Sequence, residues 1–181
     1  QMQNIIHYKN NPDGVESPDY IFANYYLCRK LTSTERIQYL TDIATQFPLK
    51  LFTPNSAFVI PQAQNMGLAD YATETPYIFH NSKINLNITL RSIKSGIPLR
   101  CLEIMACGGF LLTNFQSDFL RHFIPDEDFV FYESKEDLLQ KIDYYLTHDA
   151  ERIAIAKSGY EKVLRHHNYD IIFEKIFDII A

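Results

Sequence analysis

An arginine and a glutamate stand inside a small, apolar stretch of the chain, "SGIPLRCLEIMACGG", which runs from Ser95 to Gly109. The guanidinium of Arg100 suits a phosphate group, because it presents several N–H donors in a planar fork. Glu103 lies one helical turn further on, where its carboxylate can accept hydrogen bonds from the two hydroxyls of a ribose. A phosphate at one turn and a ribose at the next describe a bound nucleotide.

The backbone just before this pair also suits a phosphate. A helix is predicted from Pro98 to Cys107, and Ile97 in front of it has no side-chain oxygen with which to cap the helix. Leu99 and Arg100 therefore keep N–H groups to offer a ligand, and Gly96 lets a ligand approach the backbone closely. An uncapped helix start beside a glycine and an arginine is a suitable phosphate site.

Neighbouring polar residues extend the candidate site. Arg91 and Lys94 lie in the loop before the helix, where they either contact a diphosphate or are solvated surface charges. Ligands bind outside the carboxyl ends of the strands in open α/β sheets. Polar side chains lie at such predicted strand ends, namely Asn87, Thr89, Thr113 and Asn114. For the central pair, the alternative is a simple ion pair between Arg100 and Glu103 on one helix face.

These residues are positioned by a predicted alternation of short strands and helices. Two separate helices are expected at the start, one with Ser17 as its N-cap and one opened by a capping box of Thr32 and Glu35. Strands are predicted at 49–53, 58–60, 83–89, 110–114 and 128–132, and further helices at 75–82, 117–123, 134–148, 149–167 and 169–181. The pattern predicts an α/β fold, a Rossmann-like three-layer domain with a short parallel sheet.

Composition limits the function classes. The chain has 181 residues, 46% of them hydrophobic, which is enough for a substantial core. A net charge of −5 disfavours nucleic acid as a partner, because nucleic acid requires a basic face. The three cysteines form no CxxC motif, so a reduced, cytoplasmic setting is expected. No apolar run reaches the length of a transmembrane segment.

The segment "YIFHNSKINLNITLRSIKSGIPLRCLEIMACGGFLLTNFQSDF" resembles the C-terminal half of GT-B-fold glycosyltransferases, in particular the spore-maturation-protein-like group. In that group a "SKINLN" strand precedes "GIPLR..E.MACGG.LLT", and a later "ER..IA..G...V...H.Y" pattern matches residues 151–169 here. The resemblance covers roughly residues 70–175.

The resemblance implies a domain that binds a nucleoside diphosphate sugar, with UDP-sugar favoured and with neither a metal nor another cofactor required. Glu103 matches the glutamate that holds the ribose, and the turn from Gly96 to Arg100 matches the segment near the diphosphate. Two positions depart from the family pattern. Ser95 stands where many of these enzymes have a second glutamate, so the identity of the sugar stays open, and Ile171 and Ile172 stand where the family often has an arginine.

A GT-B enzyme has two Rossmann-like domains, and its N-terminal acceptor domain usually supplies the catalytic base. We expect residues 1–48 to form a helical segment that packs on a nucleotide-sugar-binding domain at 49–181. The acceptor domain and the catalytic base are therefore expected to be missing from this chain. Alone it should bind donor weakly and catalyse little.

Three other patterns in the sequence are weaker indications of function. "DED" at Asp126–Asp128 has the form of a metal–nucleotide motif of a different glycosyltransferase fold, but it is common and is interpreted as a solvated acidic turn. His166 and His167 are adjacent on a helix, so they point apart, and a capping or interdomain role is expected. Cys101 and Cys107 are interpreted as small core residues.

Two alternatives to a glycosyltransferase domain stay open. One is a non-catalytic interaction domain that pairs through its apolar terminal helices, with a homodimer as the simplest case. The segment 171–181 is more apolar than a typical surface helix and must dock on something. The other alternative is a small nucleotide-binding or flavodoxin-like module.

Overall fold

The computed structural model describes residues 16–180, apart from the side chain of residue 175. Its first part is one uninterrupted helical segment made of α1 (Pro18–Ile21), a π-helical stretch (Phe22–Leu27) and α2 (Cys28–Gln46). Ser17 caps α1 as predicted, accepting a hydrogen bond from the Tyr20 N–H. The predicted break at residue 32 is wrong, because the Thr32 hydroxyl donates back to the Cys28 carbonyl at 2.7 Å and lies inside the helix.

The remaining elements alternate much as the sequence predicts, although the strands are shorter. They are β1 (Lys50–Leu51), β2 (Gln64–Asn65), α3 (Thr75–Asn81), β3 (Asn85–Asn87), α4 (Leu99–Ala106), β4 (Leu111–Asn114), a 3-10 turn (Ser117–Arg121), β5 (Val130–Tyr132), α5 (Lys135–Thr147), α6 (Asp149–His166) and α7 (Tyr169–Ile180).

The strand predicted at 58–60 is wrong. The Asn55 side chain accepts a hydrogen bond from the Ala57 N–H, and its carbonyl accepts one from the Phe58 N–H, so the chain turns here instead of extending. The strand that pairs with β1 is β2, which lies four residues further along and runs parallel to it.

A parallel three-stranded sheet, in the order β3-β4-β5, forms the centre of the domain. Neighbouring residues of a strand point to opposite faces, so the sheet contributes to two cores. One core contains Leu112, Val130 and Tyr132 packed with α2, α5 and Ile155 of α6. The other contains Leu111 and Phe129 packed with α4, the 3-10 turn and Val163 of α6. Helices therefore cover both faces, which confirms the predicted three-layer α/β fold.

The helix start at α5 was predicted correctly. Ser134 accepts a hydrogen bond from the Asp137 N–H at 3.1 Å, and Leu138, Ile142 and Tyr145 are buried along one face of the helix. Across residues 16–180, no helix is both long and apolar enough to cross a membrane. The boundary predicted between 48 and 49 stays a prediction, although Ile43 of α2 belongs to the first core.

Candidate functional site

Helix α4 begins at the carboxyl end of β3, as the β3–α4–β4 connection requires. Pro98 is its N-cap residue, and within residues 16–180 no side chain hydrogen-bonds to the start of the helix. The N–H groups of Leu99 and Arg100 therefore remain available at the edge of the sheet where ligands bind to α/β folds, whereas the Cys101 N–H donates to the Pro98 carbonyl. This is the position predicted for a phosphate.

Arg100 and Glu103 lie together on α4, with 3.5 Å between Arg100 Nε and Glu103 Oε2. The ion pair proposed as the alternative is thus present, but it leaves part of the glutamate unsatisfied. Glu103 Oε2 is buried, and apart from this long contact with Arg100 Nε it has no donor among the described residues. A buried carboxylate oxygen that makes no hydrogen bond is costly, so the carboxylate favours a ligand that supplies a donor.

The second oxygen of this carboxylate has a partner that the sequence did not predict. The Tyr71 hydroxyl donates to Glu103 Oε1 at 2.5 Å, and this hydrogen bond raises the pKa of the Tyr71 phenol. Tyr71 lies in the turn before α3, and no local pattern links it to a helix 32 residues away. The Arg100 guanidinium in turn lies 5.5 Å from the centre of the Phe79 ring, in cation–π range.

The loop in front of α4 contacts a carboxylate of the protein, that of Asp118. Gly96 has a φ of +83°, which explains why glycine stands there, and its N–H donates to Asp118 Oδ2 at 2.5 Å. Asp118 also lies 3.7 Å from Arg121 Nε. The phosphate contact predicted for Gly96 stays a prediction, and it requires Asp118 to give up this N–H.

The two basic residues predicted near the diphosphate differ in their surroundings. Arg91 is bound to Glu35 of α2 through both Nε, at 3.1 Å, and Nη2, at 2.6 Å, which raises the pKa of the guanidinium. Lys94 is exposed in the same loop. In this conformation Lys94 is the more available cation.

The predicted strand-end residues form one hydrogen-bonded network. Asn87 Nδ2 donates to Thr89 Oγ1 at 2.9 Å and to Thr113 Oγ1 at 3.0 Å, and the Thr89 N–H donates to Asn114 Oδ1 at 2.7 Å. Thr113 and Thr89 are buried. The network joins the ends of β3 and β4 beneath the crevice, and the nucleotide contacts predicted for Asn87 and Thr89 stay a prediction.

The interpretation of the "DED" turn as solvated is wrong for its last residue. Asp128 is buried, and its carboxylate accepts hydrogen bonds from Lys162 Nζ (2.6 Å), Ser158 Oγ (2.7 Å) and the Ile124 N–H (2.7 Å). Asp126 and Glu127 are exposed. Asp128 thus ties helix α6 to the turn before β5 and has a structural role.

The histidines and cysteines contribute little to this edge of the sheet. His167 packs on the Phe123 ring at 5.1 Å, and His80 Nδ1 lies 3.0 Å from the Cys107 carbonyl oxygen. Cys101 is buried against Thr113, and burial raises the pKa of its thiol to about 12. Among residues 16–180, the fold assembles no group of three His, Cys, Asp or Glu side chains suited to a metal ion.

A groove of about 600 Å³ lies at the opposite edge of the sheet, near the amino ends of β3 and β4. Its lining includes His80, Cys107, Arg152, Lys157 and Tyr160. It contains none of the residues predicted to bind a nucleotide.

Comparison with solved structures finds similar chains, among them one described as the C-terminal domain of a glycosyl transferase group 1 family protein (LpcC) from Francisella tularensis. The two chains are 23% identical, with a TM-score of 0.49. The match covers 60% of this chain and 55% of that one, so this chain spans about half the length of the solved domain. The search of curated proteins found no match.

A family model described as glycosyl transferase-like matches residues 40–178. The match begins within α2 and ends within α7, so it takes in the whole central sheet and all of α4. This confirms the glycosyltransferase resemblance, while the spore-maturation-protein-like group stays a prediction. The chain belongs to the glycosyl transferase-like family.

Proposed function

We propose that this chain is the donor-binding domain of a glycosyltransferase, and that the complete enzyme moves a sugar from a nucleoside diphosphate to an acceptor. The observation that carries the proposal is the placement of Glu103. Its carboxylate lies one turn into a helix whose uncapped start faces the carboxyl ends of the parallel strands, and one of its oxygens is buried with only the long Arg100 contact. A ribose supplies two adjacent hydroxyl donors for such a carboxylate.

The positive groups around the start of α4 support the diphosphate part of the proposal. Free N–H groups at a helix start favour an anion, and the Arg100 guanidinium lies within the first turn. Lys94 adds a positive charge from the preceding loop. During transfer, negative charge grows on the leaving diphosphate, so these groups stabilise the transition state more than the ground state.

Glu103 acts by positioning. Holding the ribose fixes the nucleotide along α4, and this orients the bond between sugar and phosphate toward the acceptor. The catalytic base and the acceptor site belong to a second domain in this proposal. The isolated chain is therefore expected to bind nucleotide weakly and to transfer little sugar. UDP is the nucleotide we favour, on the basis of the sequence resemblance.

Calorimetric titration of the purified chain with UDP, GDP and ADP tests the proposal. We expect one nucleotide, UDP first, to bind, and Glu103→Ala to lose most of that binding. Glu127→Ala removes the same charge from an exposed turn and is the matched control, expected to bind like the parent chain. Equal binding by the Glu103 and Glu127 variants would contradict the assignment of the ribose to Glu103.

A specific observation favours a second candidate, an interaction module that self-associates. Helix α7 leaves Phe177, Ile179 and Ile180 exposed to 66%, 84% and 74%, an unusual apolar surface for a helix in water. Sedimentation velocity on the parent chain and on Phe177→Asp tests this candidate independently of nucleotide. A dimer that dissociates in the variant, together with no nucleotide binding by the parent chain, would favour it over the donor domain.

A further inference from the structure

The contact between Tyr71 and Glu103 places a hydroxyl of the protein on the very carboxylate that the proposed function assigns to the ribose. Tyr71 Oη lies 2.5 Å from Glu103 Oε1, whereas Oε2 accepts no hydrogen bond from any described residue. A phenol and a ribose hydroxyl are both neutral O–H donors, and both form the same type of charge-assisted hydrogen bond to a carboxylate. Because Oε2 is buried, a ribose hydroxyl that reaches the carboxylate competes with Tyr71 for Oε1.

The surroundings of Tyr71 allow its side chain to leave without unfolding the turn. The residue is 62% exposed, so the ring has solvent on most of its surface. Its backbone is fixed by the neighbour Asp70, whose carboxylate accepts hydrogen bonds from the N–H groups of Ala72 and Thr73. The Asp70 N–H is itself held by Glu74 at 2.7 Å. A rotation of the Tyr71 side chain is sufficient to free Glu103.

We propose that the Tyr71 hydroxyl takes the place of a ribose hydroxyl on Glu103 and competes with the nucleotide for that carboxylate. The inference rests on the proposed function, because it assigns the same carboxylate to the ribose. Tyr71 supplies Glu103 Oε1 with one hydrogen bond. When the nucleotide arrives, that hydrogen bond is exchanged for one from the ribose.

The competition has a measurable cost in affinity. A site that is open only for a fraction of the time binds its ligand more weakly by that fraction. If the Tyr71 contact is formed for about four-fifths of the time, removing the hydroxyl tightens nucleotide binding about fivefold. If Tyr71 instead stabilised the orientation in which Glu103 binds ribose, removing its hydroxyl would weaken nucleotide binding. The sign of the change in affinity thus separates the two roles.

The experiment is a calorimetric titration of the full chain with UDP in four forms: the parent, Tyr71→Phe, Tyr77→Phe and Glu103→Gln. Tyr77 is the matched control, because it is 75% exposed on α3 and its hydroxyl makes no hydrogen bond to a described residue. We expect Tyr71→Phe to bind UDP about fivefold more tightly than the parent, Tyr77→Phe to bind equally, and Glu103→Gln to bind far more weakly. Thermal unfolding of each variant checks that all four are folded.

The possible failures are distinguishable. If the parent binds UDP and Glu103→Gln does not, the proposed function stands, and unchanged or weaker binding by Tyr71→Phe overturns the role of Tyr71 alone. If neither the parent nor Tyr71→Phe binds UDP, and the parent binds neither GDP nor ADP in the titrations described above, the proposed function and this inference both fall. Tighter binding by Tyr77→Phe as well would attribute the gain to a general surface effect and would also overturn the inference.

Discussion

Lys162 and Asp128 form a short ion pair, with 2.6 Å between Nζ and Oδ2, and the aspartate side chain is only 3% exposed. Burial alone raises the pKa of the Asp128 carboxyl, but hydrogen bonds from Lys162, Ile124 N–H and Ser158 outweigh it and hold the pKa below its ordinary value of 3.8. The pair connects α6 to the turn before β5. The ion pair therefore stabilises the fold.

Asp128→Asn is expected to lower the free energy of unfolding by about 3 kcal/mol at pH 7, because it leaves Lys162 without its partner. A carboxyl with a lowered folded pKa stabilises the protein above its unfolded pKa and loses that effect as the pH falls through the folded pKa. The difference between parent and variant should thus shrink below about pH 4 in urea unfolding curves. Asp126→Asn, on an exposed neighbour, is the control and should change little.

Replacing Gly159 by alanine is expected to destabilise the fold. An alanine inside a helix usually stabilises it by about 1 kcal/mol relative to glycine. Here a Cβ would clash with the Asp128 carbonyl oxygen and lie 3.0 Å from Met105 Cε, where α6 packs on α4. We expect Gly159→Ala to destabilise the chain by about 2 kcal/mol in urea unfolding, since overpacking outweighs the helix preference. Stabilisation by this variant would mean that the helices separate easily. The control is Lys157→Ala, on an exposed position of the same helix, which should leave the free energy of unfolding nearly unchanged.

Thr32→Val tests how firmly α2 is docked on the domain. Thr32 is buried, and its hydroxyl accepts a hydrogen bond from the Arg91 N–H at 3.1 Å. Valine keeps the shape but leaves that N–H without an acceptor, so we expect a loss of about 1 to 2 kcal/mol in thermal or urea unfolding. Thr34→Val removes an exposed hydroxyl that bonds only within the helix, to the Lys30 carbonyl. Equal effects from both variants would indicate that the Arg91 contact contributes nothing.

Asp118 is expected to weaken nucleotide binding in the parent chain. Its carboxylate occupies the Gly96 N–H and places a negative charge at the loop assigned to the diphosphate. Asp118→Ala should bind UDP about threefold more tightly at low salt, and the gain should shrink as salt screens the charge. Asp143→Ala, which removes an equal charge from the exposed face of α5, should leave binding unchanged. Weaker binding by Asp118→Ala would instead make Asp118 a residue that shapes the loop for its ligand.

Local patterns were enough to predict much of the fold. The cap of Ser134 and the stripe of Leu138, Ile142 and Tyr145 depend on spacing along one helix, and the sequence displays such spacing directly. The start of α4 could be predicted for the same reason, since Ile97 and Pro98 offer no cap. Thr32 shows how such a pattern fails. Its spacing to Glu35 is that of a capping box, yet its hydroxyl accepts a hydrogen bond from the N–H of Arg91, 59 residues away.

The candidate site was predicted in part, because its partners come from distant elements. Arg100 and Glu103 share one helix, and their proximity follows from its period. The contacts of Tyr71 with Glu103, of Asp118 with Gly96 and of Glu35 with Arg91 span 32, 22 and 56 residues. Such contacts depend on how loops are placed over the sheet, and a single sequence contains no periodic signal for that placement.

Among the described residues, the uninterrupted helix from Pro18 to Gln46 is buried only toward its C-terminal end. Thr32, Ile43 and Ala44 of α2 are buried, whereas none of the residues described in Pro18–Leu27 is. Helical hydrogen bonds in that stretch are therefore maintained by propagation from the buried end. Amide protons should consequently exchange with solvent along a gradient, slowest near Ile43 and progressively faster toward Pro18. The exposed Tyr20, Tyr25 and Tyr26 lie at the fast end, so ordering that end against another surface would show first as slowed exchange there.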